Sequence, residues 1–532
     1  MESVQRLAPY LLLFQVLFPF VSGSLLIVRP LGSGRALRCG VAAVHLCLAV
    51  TSLALLGSVF LLPSAGAASA ALQFTIPLLP GSHPLPLMRD LAWMLDLESA
   101  AFLSLIPWVA LSAQIFTTEQ EQTASQLAGN LFLTGSLSLF LVAGEVASLM
   151  CGAGFSVLLI SSRLIRFGGV DKRTSASQFL TLQFIGGGLL AISLGMFAAS
   201  AGLIRSAPQE RPGSSTFNLM ELGHLIQGSI ASHPAAEQLW GESRVLPSCL
   251  MLCGLLIMAG GFPMQVWLSE VGASAALGER LWLVAWVKCV LLVGLRLLMA
   301  LDPEALRSFG WCGLMISIPG ALFVASLLLS QAYLPRIQSS GLAWTQQVAL
   351  IAVFSATRDL QIWLVPLLIC HLAALMLFTI GLSTISERYR SVEISSFQGL
   401  SSRTGWLLPV LLVPLLTLTL SPFALGLMEV WLVSATLQGS QQVFGSMLNL
   451  LFLLADLLAV AGLARILRQL CTGPLRLPEM SPGLRERTPL AAPVATLTFS
   501  VGQCLVLGAW SVLAILAAFS FPLLQALTLA IR

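Results

Sequence analysis

The sequence predicts an all-α polytopic membrane protein of about 14 transmembrane helices, and three observations carry that prediction. Hydrophobic residues make up 57% of the chain and charged residues 9%, with a mean hydropathy of +0.91. That leaves too little polar surface for a soluble globule of 532 residues. Apolar runs of about 20 residues, the length of helix that crosses a hydrocarbon core, recur along the whole chain. Basic residues gather on alternate connections between those runs, as the positive-inside rule requires of a multi-pass protein.

The first run, Tyr10 to Val28, meets Arg29 without a small-residue cleavage site, so it reads as a retained span rather than a signal peptide. The second lies at 41–62. Together with the following loop these form an N-terminal section, 1–94. A central section, 95–470, holds spans at 95–116, 126–142, 144–162, 177–204, 246–269, 281–300 and 309–330. It continues with a weak span near 342–357, then 360–384, a long and broken 405–435, and 441–466. The last section, 471–532, is a loop and a final span at 496–528. Arg29, Arg35 and Arg38 follow the first span, and Arg163, Arg166, Lys172 and Arg173 follow the fifth. Arg388, Arg390 and Arg403 follow the eleventh, and Arg465, Arg468 and Arg476 the thirteenth, which puts both termini on the outer or lumenal side. Glu119 and Glu121 after the third span dissent, but acidic residues count for little in this rule.

The polar stretches 63–94, 205–245, 331–345 and 472–495 are too short for a catalytic domain with its own core, so any chemistry belongs between helices. No GxxxxGK[ST] occurs, and no GxGxxG follows a strand pattern, which argues against an ATPase or a dinucleotide-binding enzyme. Gly186-Gly187-Gly188 lies in an apolar span, where small residues permit close helix packing. The ten cysteines form no CxxC pair and no metal-ligand spacing, so neither a metal site, an iron–sulfur cluster nor a disulfide is expected. The net charge of +4 is spread over short loops, unlike a nucleic-acid footprint.

Two spans carry internal breaks. Gly260-Gly261-Phe262-Pro263 interrupts the seventh and Ser421 to Gly426 the twelfth. Glycine and proline unwind a helix, and paired breaks in corresponding spans point to a repeated transporter-like unit. Their spacing predicts two five-helix repeats, spans four to eight and nine to thirteen, each with a broken helix. Ionisable residues at membrane depth form a series across these spans: Glu145, Lys288, His371 and Glu429, with Asp456 further on. Lys288 is one of only two lysines in the chain. An ammonium at bilayer depth costs about 3 kcal/mol or more, which makes it a functional candidate by default. Carboxylate, amine and imidazole groups separated by helices can pass protons. Each also has a structural reading: Glu145 as an interface loop residue, His371 as a core histidine, and Asp456 paired with a polar neighbour.

Several segments together resemble the antiporter-like membrane subunits of complex I and its relatives, especially the M type of bacteria and the D type of photosynthetic complexes. Trp286-Val-Lys288 followed by Gly294-Leu-Arg296 is similar to the family's lysine with an arginine eight residues on. Pro263-Met-Gln-Val-Trp267-Leu268-Ser-Glu270 resembles its P-x-H-x-W-L-P-[DE] segment, and Leu95-Asp96-Leu-Glu-Ser99 its D-G-x-S helix start. His371 to Phe378 and Glu387 to Leu400 resemble its eleventh helix and the loop after it. The resemblance spans roughly residues 86 to 470. It implies a membrane-arm subunit with Glu145, Lys288, His371 and Glu429 as a proton relay and no catalytic residue. It also implies that this chain binds no cofactor, partner subunits handling quinone and NAD(P)H or ferredoxin. The implied partners are other membrane-arm subunits and the lipid bilayer, with no nucleic acid, in a bacterial inner membrane or a thylakoid.

The departures are specific. The family's seventh-helix lysine falls at Met258, its histidine after the break at Gln265, and its eleventh-helix lysine at Leu375. A Tyr-Ser-Ser-x-x-His stretch has become Trp311-Cys-Gly-Leu-Met-Ile. Two alternatives therefore stay open: a subunit of a multi-protein cation/proton antiporter or inorganic-carbon uptake assembly, or a degenerate structural subunit without proton conduction.

Overall fold

In a computed structural model, residues 2–28, 34–60, 72–77, 90–117, 123–166, 170–204, 218–219, 222–223, 226, 243–355, 358–389, 391–400, 411–414, 442–472, 503–514 and 516 are described. The chain forms two compact units, Met1–Gly260 with Ala285–Gly310, and Gly261–Val284 with Trp311–Arg532. The first holds α1 (Glu2–Val28), α2 (Gly34–Phe60), α3 (Leu97–Phe116), α4 (Ala124–Val142), α5 (Val146–Arg166), α6 (Val170–Ile204) and α7 (Val245–Ala259). The second begins with α8 (Gln265–Ser274). The division then passes through α9 (Leu277–Leu301), after Val284, and through α10 (Pro303–Ser330), after Gly310. The second unit continues with α11 (Leu334–Phe354), α12 (Arg358–Tyr389), a 3-10 turn at Ile394–Phe397, α13 (Gln442–Cys471) and α14 (Gln503–Ala514).

Ten of the described helices are long and apolar enough to cross a membrane, and the class is the expected one, an all-α polytopic membrane protein. Among the described residues the strands are one short antiparallel pair, β1 (Leu72–Pro77) and β2 (Asp90–Leu95), with Leu72 opposite Leu95 and Pro77 opposite Asp90. This pair falls in the stretch 63–94, where the sequence pattern suggests only a polar loop. Trp93 and Leu95 of β2 bury against Leu12 and Val16 of α1 and Leu55 and Val59 of α2, so the strand closes one end of the N-terminal bundle.

The seventh span is two helices, as its glycines and proline predict. α7 ends at Ala259, and Gly260 takes a left-handed conformation, φ 70°, that returns its N–H to the Ile257 carbonyl at 3.3 Å. The Phe262–Pro263 peptide is cis, and α8 starts two residues later. The twelfth-span break at 421–426, and Glu429 with it, lie outside the described residues.

The weak span is the clearest correction. In place of a polar stretch at 331–345 and a span near 342–357, one helix runs from Leu334 to Phe354, with Pro335 in its first turn. It is buried almost throughout, including Gln338, Ser339, Ser340, Thr345, Gln346 and Gln347. A helix packed on protein rather than lipid tolerates amides and hydroxyls, and these lower the hydropathy signal that locates spans.

Candidate functional site

Lys288 sits at the middle of α9 and is fully buried, flanked by Val287 and Cys289, also with 0% exposure. Two residues before it on the same helix, Trp286 stacks at a tilt on Phe140 of α4, ring centroids 5.4 Å apart. Its indole N–H donates to the Gln183 side-chain oxygen on α6 at 3.1 Å. Gln183 in turn donates through Nε2 to the Met258 carbonyl at 3.2 Å. That carbonyl belongs to the last turn of α7, where a helix end leaves backbone acceptors without intrahelical donors. One buried glutamine therefore ties α6, the broken end of α7 and the lysine-bearing helix together, in the way a break within a membrane demands.

Met258, the position where the resemblance expects a lysine, is 1% exposed and lies on Gly186. A Cβ built on Gly186 would come within 2.6 Å of Met258 Cγ and 2.9 Å of the Gly254 carbonyl. A Cβ on Gly254 would come within 2.7 Å of the Gly186 carbonyl. The two helices thus touch backbone to backbone, and Met258 fills the space beside the contact. The glycine triplet has the packing role expected of it, carried by Gly186.

Two turns beyond Lys288, about 12 Å along the helix, Arg296 reaches the ends of two other helices. Its Nη1 donates to the Leu141 carbonyl at 2.7 Å and to Ser99 Oγ at 2.8 Å, and Nη2 donates to the Ala143 carbonyl at 2.9 Å. Asp96 lies 4.0 Å from Nη1 and caps α3 by accepting from the Ser99 N–H at 2.6 Å. The guanidinium therefore satisfies carbonyls at the C-terminus of α4, the end of a helix that favours a cation.

Glu145 follows two residues later. It lies in the short connection between α4 and α5, 7% exposed, and its carbonyl starts α5 by accepting from the Leu149 N–H at 3.1 Å. The connection is held on two sides. The Gly144 N–H donates to the Ala92 carbonyl of β2, and the Gly144 carbonyl accepts from the Leu219 N–H, each at 2.9 Å. Glu145 itself pairs as a bridge with Asn218. Glu145 thus lies one residue before α5 rather than within it.

The second unit has a buried polar layer of its own. Arg280, at the start of α9, donates from Nε to the Gly272 carbonyl at 2.9 Å and from Nη1 to Gln338 Oε1 at 2.5 Å and Ser383 Oγ at 3.2 Å. Gln338 Nε2 donates to the Thr379 carbonyl at 3.1 Å and to Ser383 Oγ at 3.0 Å. These bonds, and Gly341 facing Phe378, fix an antiparallel register of α11 on α12 that puts His371 level with Gln347 and Val348. Gly272 against Ser339, and Gly320 between Phe262 and Gln347 Oε1, set the register of α8 on α11 in the same way. Gln265 thereby falls level with Thr345 and Gln346. Gln265 and His371 are each 2% exposed, and neither polar atom of the Gln265 amide has a hydrogen-bond partner.

Glu145 and Lys288 thus belong to the first unit and His371 to the second, while Glu429 lies outside the described residues. Gln183, Arg280 and Gln338 are not among the residues to which the sequence pattern points. Gln183 had a usable signal, an amide within an apolar span. Arg280 precedes the expected span by one residue, and Gln338 lies in a stretch whose composition is that of a polar connection. Among the described residues, no three His, Cys, Asp or Glu side chains come together as a metal-binding group.

No protein-family model matches the chain, and no curated protein matches its sequence. Solved structures do. A chain of the Mrp complex from a Dietzia species is 14% identical, with TM-score 0.75, over 97% of this chain and 95% of that one. A chain of the membrane-bound sulfane sulfur reductase, an archaeal respiratory membrane complex, is 14% identical, with TM-score 0.72, over 95% and 75%. A chain of respiratory complex I from Thermus thermophilus is 18% identical, with TM-score 0.68, over 96% and 94%. At these identities the comparison concerns architecture, and the chain is an integral membrane protein with the fold shared by subunits of these three complexes.

Proposed function

We propose that this chain is a membrane-arm subunit of a complex I-like quinone oxidoreductase, contributing to or regulating proton translocation coupled to electron transfer in partner subunits. The observation that carries the reading is Lys288, an amine at the midpoint of a membrane helix with no solvent exposure. Evolution of a stable helix gives no reason to keep such a group, whose burial costs about 3 kcal/mol or more. Lysine also exchanges its proton when desolvated, which arginine does not. Glu145, His371 and Glu429 are the other groups of the relay. The likeness to a chain of respiratory complex I over nearly the whole length supports the assembly. Quinone and the electron donor belong to the partner subunits.

The test is Lys288→Met in the assembled complex, with quinone-coupled proton uptake measured in membrane vesicles. Uptake falls at least tenfold at unchanged subunit content; unchanged uptake removes the relay.

A second reading, a subunit of a multi-protein cation/proton antiporter assembly, is favoured by the likeness to a chain of the Mrp complex over 97% of this chain. Purification in mild detergent separates the two, since companions with redox centres support the first and membrane subunits alone the second. Met258 seated on Gly186 favours a third, a subunit that fills its place without conducting. The lysine replacement decides that one too.

A further inference from the structure

We infer that the bundle α1–α4 encloses a file of internal water in which His45 takes up and releases protons. This shares with the proposed function the premise that the chain moves protons, and it adds a group outside the relay of Glu145, Lys288, His371 and Glu429.

His45 lies near the middle of α2 with no solvent exposure, and neither of its ring nitrogens has a hydrogen-bond partner. It shares a helix face with Val41, Leu48 and Ser52, all buried, and Val41 clusters with Leu127, Ala128 and Leu131 of α4. The imidazole is thus on the side of α2 that meets α4. Farther along, Leu55 and Val59 cluster with Val142, so the two helices run parallel and His45 comes level with Leu133 and Thr134. A polar row on α4 passes that level. Gln126, Asn130, Thr134 and Ser138 recur at every fourth residue, the spacing of one helix face, and all four are buried.

Buried polar atoms without partners continue the row on both sides of the ring. Ser138 Oγ is one, about 6 Å beyond His45 along the helix axis. Gly23 against Phe132 and Gly135 against Phe20 set α1 antiparallel to α4, which brings Gln15 level with Phe140. Gln15 Oε1 accepts from Thr51 Oγ1 at 2.7 Å, and its Nε2 has no partner. Trp93 of β2, whose backbone bridges Ala143, buries an unpartnered indole N–H. In the other direction the row leads through Thr134 and Asn130 to the unpartnered Oε1 of Gln126. There the buried Arg163 donates from Nη1 to Asn130 Oδ1 at 2.8 Å and to the Gln126 carbonyl at 3.1 Å. From Gln126 to Ala143 the row covers about 26 Å, close to the thickness of a hydrocarbon core.

One partner suits all of these atoms. Gln15 Nε2 and Trp93 Nε1 need an acceptor, Gln126 Oε1 needs a donor, and Ser138 and the imidazole need both. Water supplies both, and buried water characteristically bonds to polar groups that the protein leaves unmet. Without it each atom would oppose folding, and isolated defects have no reason to fall on one line. Histidine is also the side chain on this line that exchanges protons most readily, since arginine keeps its own. The step is balanced within the ring: the bare nitrogen takes a proton from water on one side, and the other nitrogen gives its proton to water on the opposite side. The ring is left neutral as the other tautomer, and a flip of the ring restores the start.

Hydroxyl-radical labelling of the full chain in its native assembly, read by mass spectrometry, reports which buried side chains touch water. Trp286 is the reference, because it is as deeply buried as Trp93 and its N–H is already bonded to Gln183. Trp93 is labelled several-fold faster than Trp286; equal rates overturn the inference. His45→Gln still bonds water but cannot pass a proton through a ring, so labelling at Trp93 persists while proton uptake in membrane vesicles falls at least about tenfold. Wild-type uptake in His45→Gln with a loss in Lys288→Met overturns this inference and leaves the proposed function standing. A loss in His45→Gln with wild-type uptake in Lys288→Met overturns the relay and leaves this inference standing. If His45→Gln and His45→Asn both fail to assemble, or both lose the Trp93 labelling together with uptake, the imidazole is structural and the inference is wrong.

Discussion

Arg296 holds the Ala143 carbonyl at 2.9 Å, two residues ahead of Glu145, while its other terminal nitrogen holds the Leu141 carbonyl at 2.7 Å. A fork of two donors in fixed geometry is what arginine supplies and lysine does not. Arg296→Lys therefore keeps the charge and loses one of the carbonyl bonds; Arg296→Met loses all of them and leaves two acceptors and Asp96 without their cation. Charge-assisted bonds contribute about 1.5–3 kcal/mol each when buried. The expected order of thermal stability in detergent is wild type above Arg296→Lys above Arg296→Met; equal midpoints for wild type and Arg296→Lys would show that charge alone matters, and equal midpoints for the two variants that the charge contributes nothing.

Gln183 serves two partners that cannot both be replaced by one apolar side chain. It accepts from the Trp286 indole and donates to the Met258 carbonyl at the end of α7. Gln183→Leu fits the volume but orphans one buried donor and one buried acceptor, at about 1–3 kcal/mol each. The variant should unfold earlier, and its Trp286 emission should shift because the indole N–H has lost its acceptor. Gln183→Glu, which keeps the acceptor for Trp286, should restore the emission but not the stability.

These two residues also show how far the sequence can be read. The apolar runs, the break at Gly260 and the helix start at Asp96 are local signals, and each appears where its residues put it. Arg296 was visible as the end of a Gly-Leu-Arg pattern, but its partners, Leu141 and Ala143, are some 150 residues away and offer only carbonyls, which have no sequence signature. α11 is hidden from the sequence for a different reason. Span detection measures affinity for lipid, and a helix surrounded by protein owes nothing to lipid, so Gln338, Gln346 and Gln347 counted against it. Strand β2 likewise packs on α1 and α2 through Trp93 and Leu95, contacts distant in the chain that no local pattern announces.

Gln265 lies level with Thr345 and Gln346, with both amide atoms unpartnered and 2% exposure. An amide kept in such a place destabilises the fold, so replacing it with an apolar residue of like volume removes that cost. Gln265→Leu should be as stable as wild type or more so in thermal unfolding. If the polar layer around His371 carries protons, the same variant loses proton uptake, and stability and activity move in opposite directions. A variant that is less stable than wild type would show instead that the amide is bonded and structural.

Met258 and Gly254 bear on whether the missing lysine can be restored. The carbonyl of Gly186 leaves 2.7 Å for a Cβ on Gly254, so Gly254→Ala must push two backbones apart, and overpacking of this kind costs about 1–3 kcal/mol. Gly188, with nothing within 4 Å of its Cβ direction, is the control, and Gly188→Ala should be neutral or gain up to about 1 kcal/mol from helix propensity. Met258→Leu keeps volume and polarity and should cost less than about 1.5 kcal/mol. Met258→Lys places an ammonium at a buried position whose side chain already lies against Gly186. An unpaired buried charge is worse by about 3–5 kcal/mol. Thermal unfolding of the four variants should therefore rank Gly188→Ala highest, then Met258→Leu, then Gly254→Ala, with Met258→Lys lowest. A Met258→Lys protein as stable as Met258→Leu would mean that the ammonium finds a partner, and the packed corner between α6 and α7 would then be able to admit the lysine that the resemblance expects.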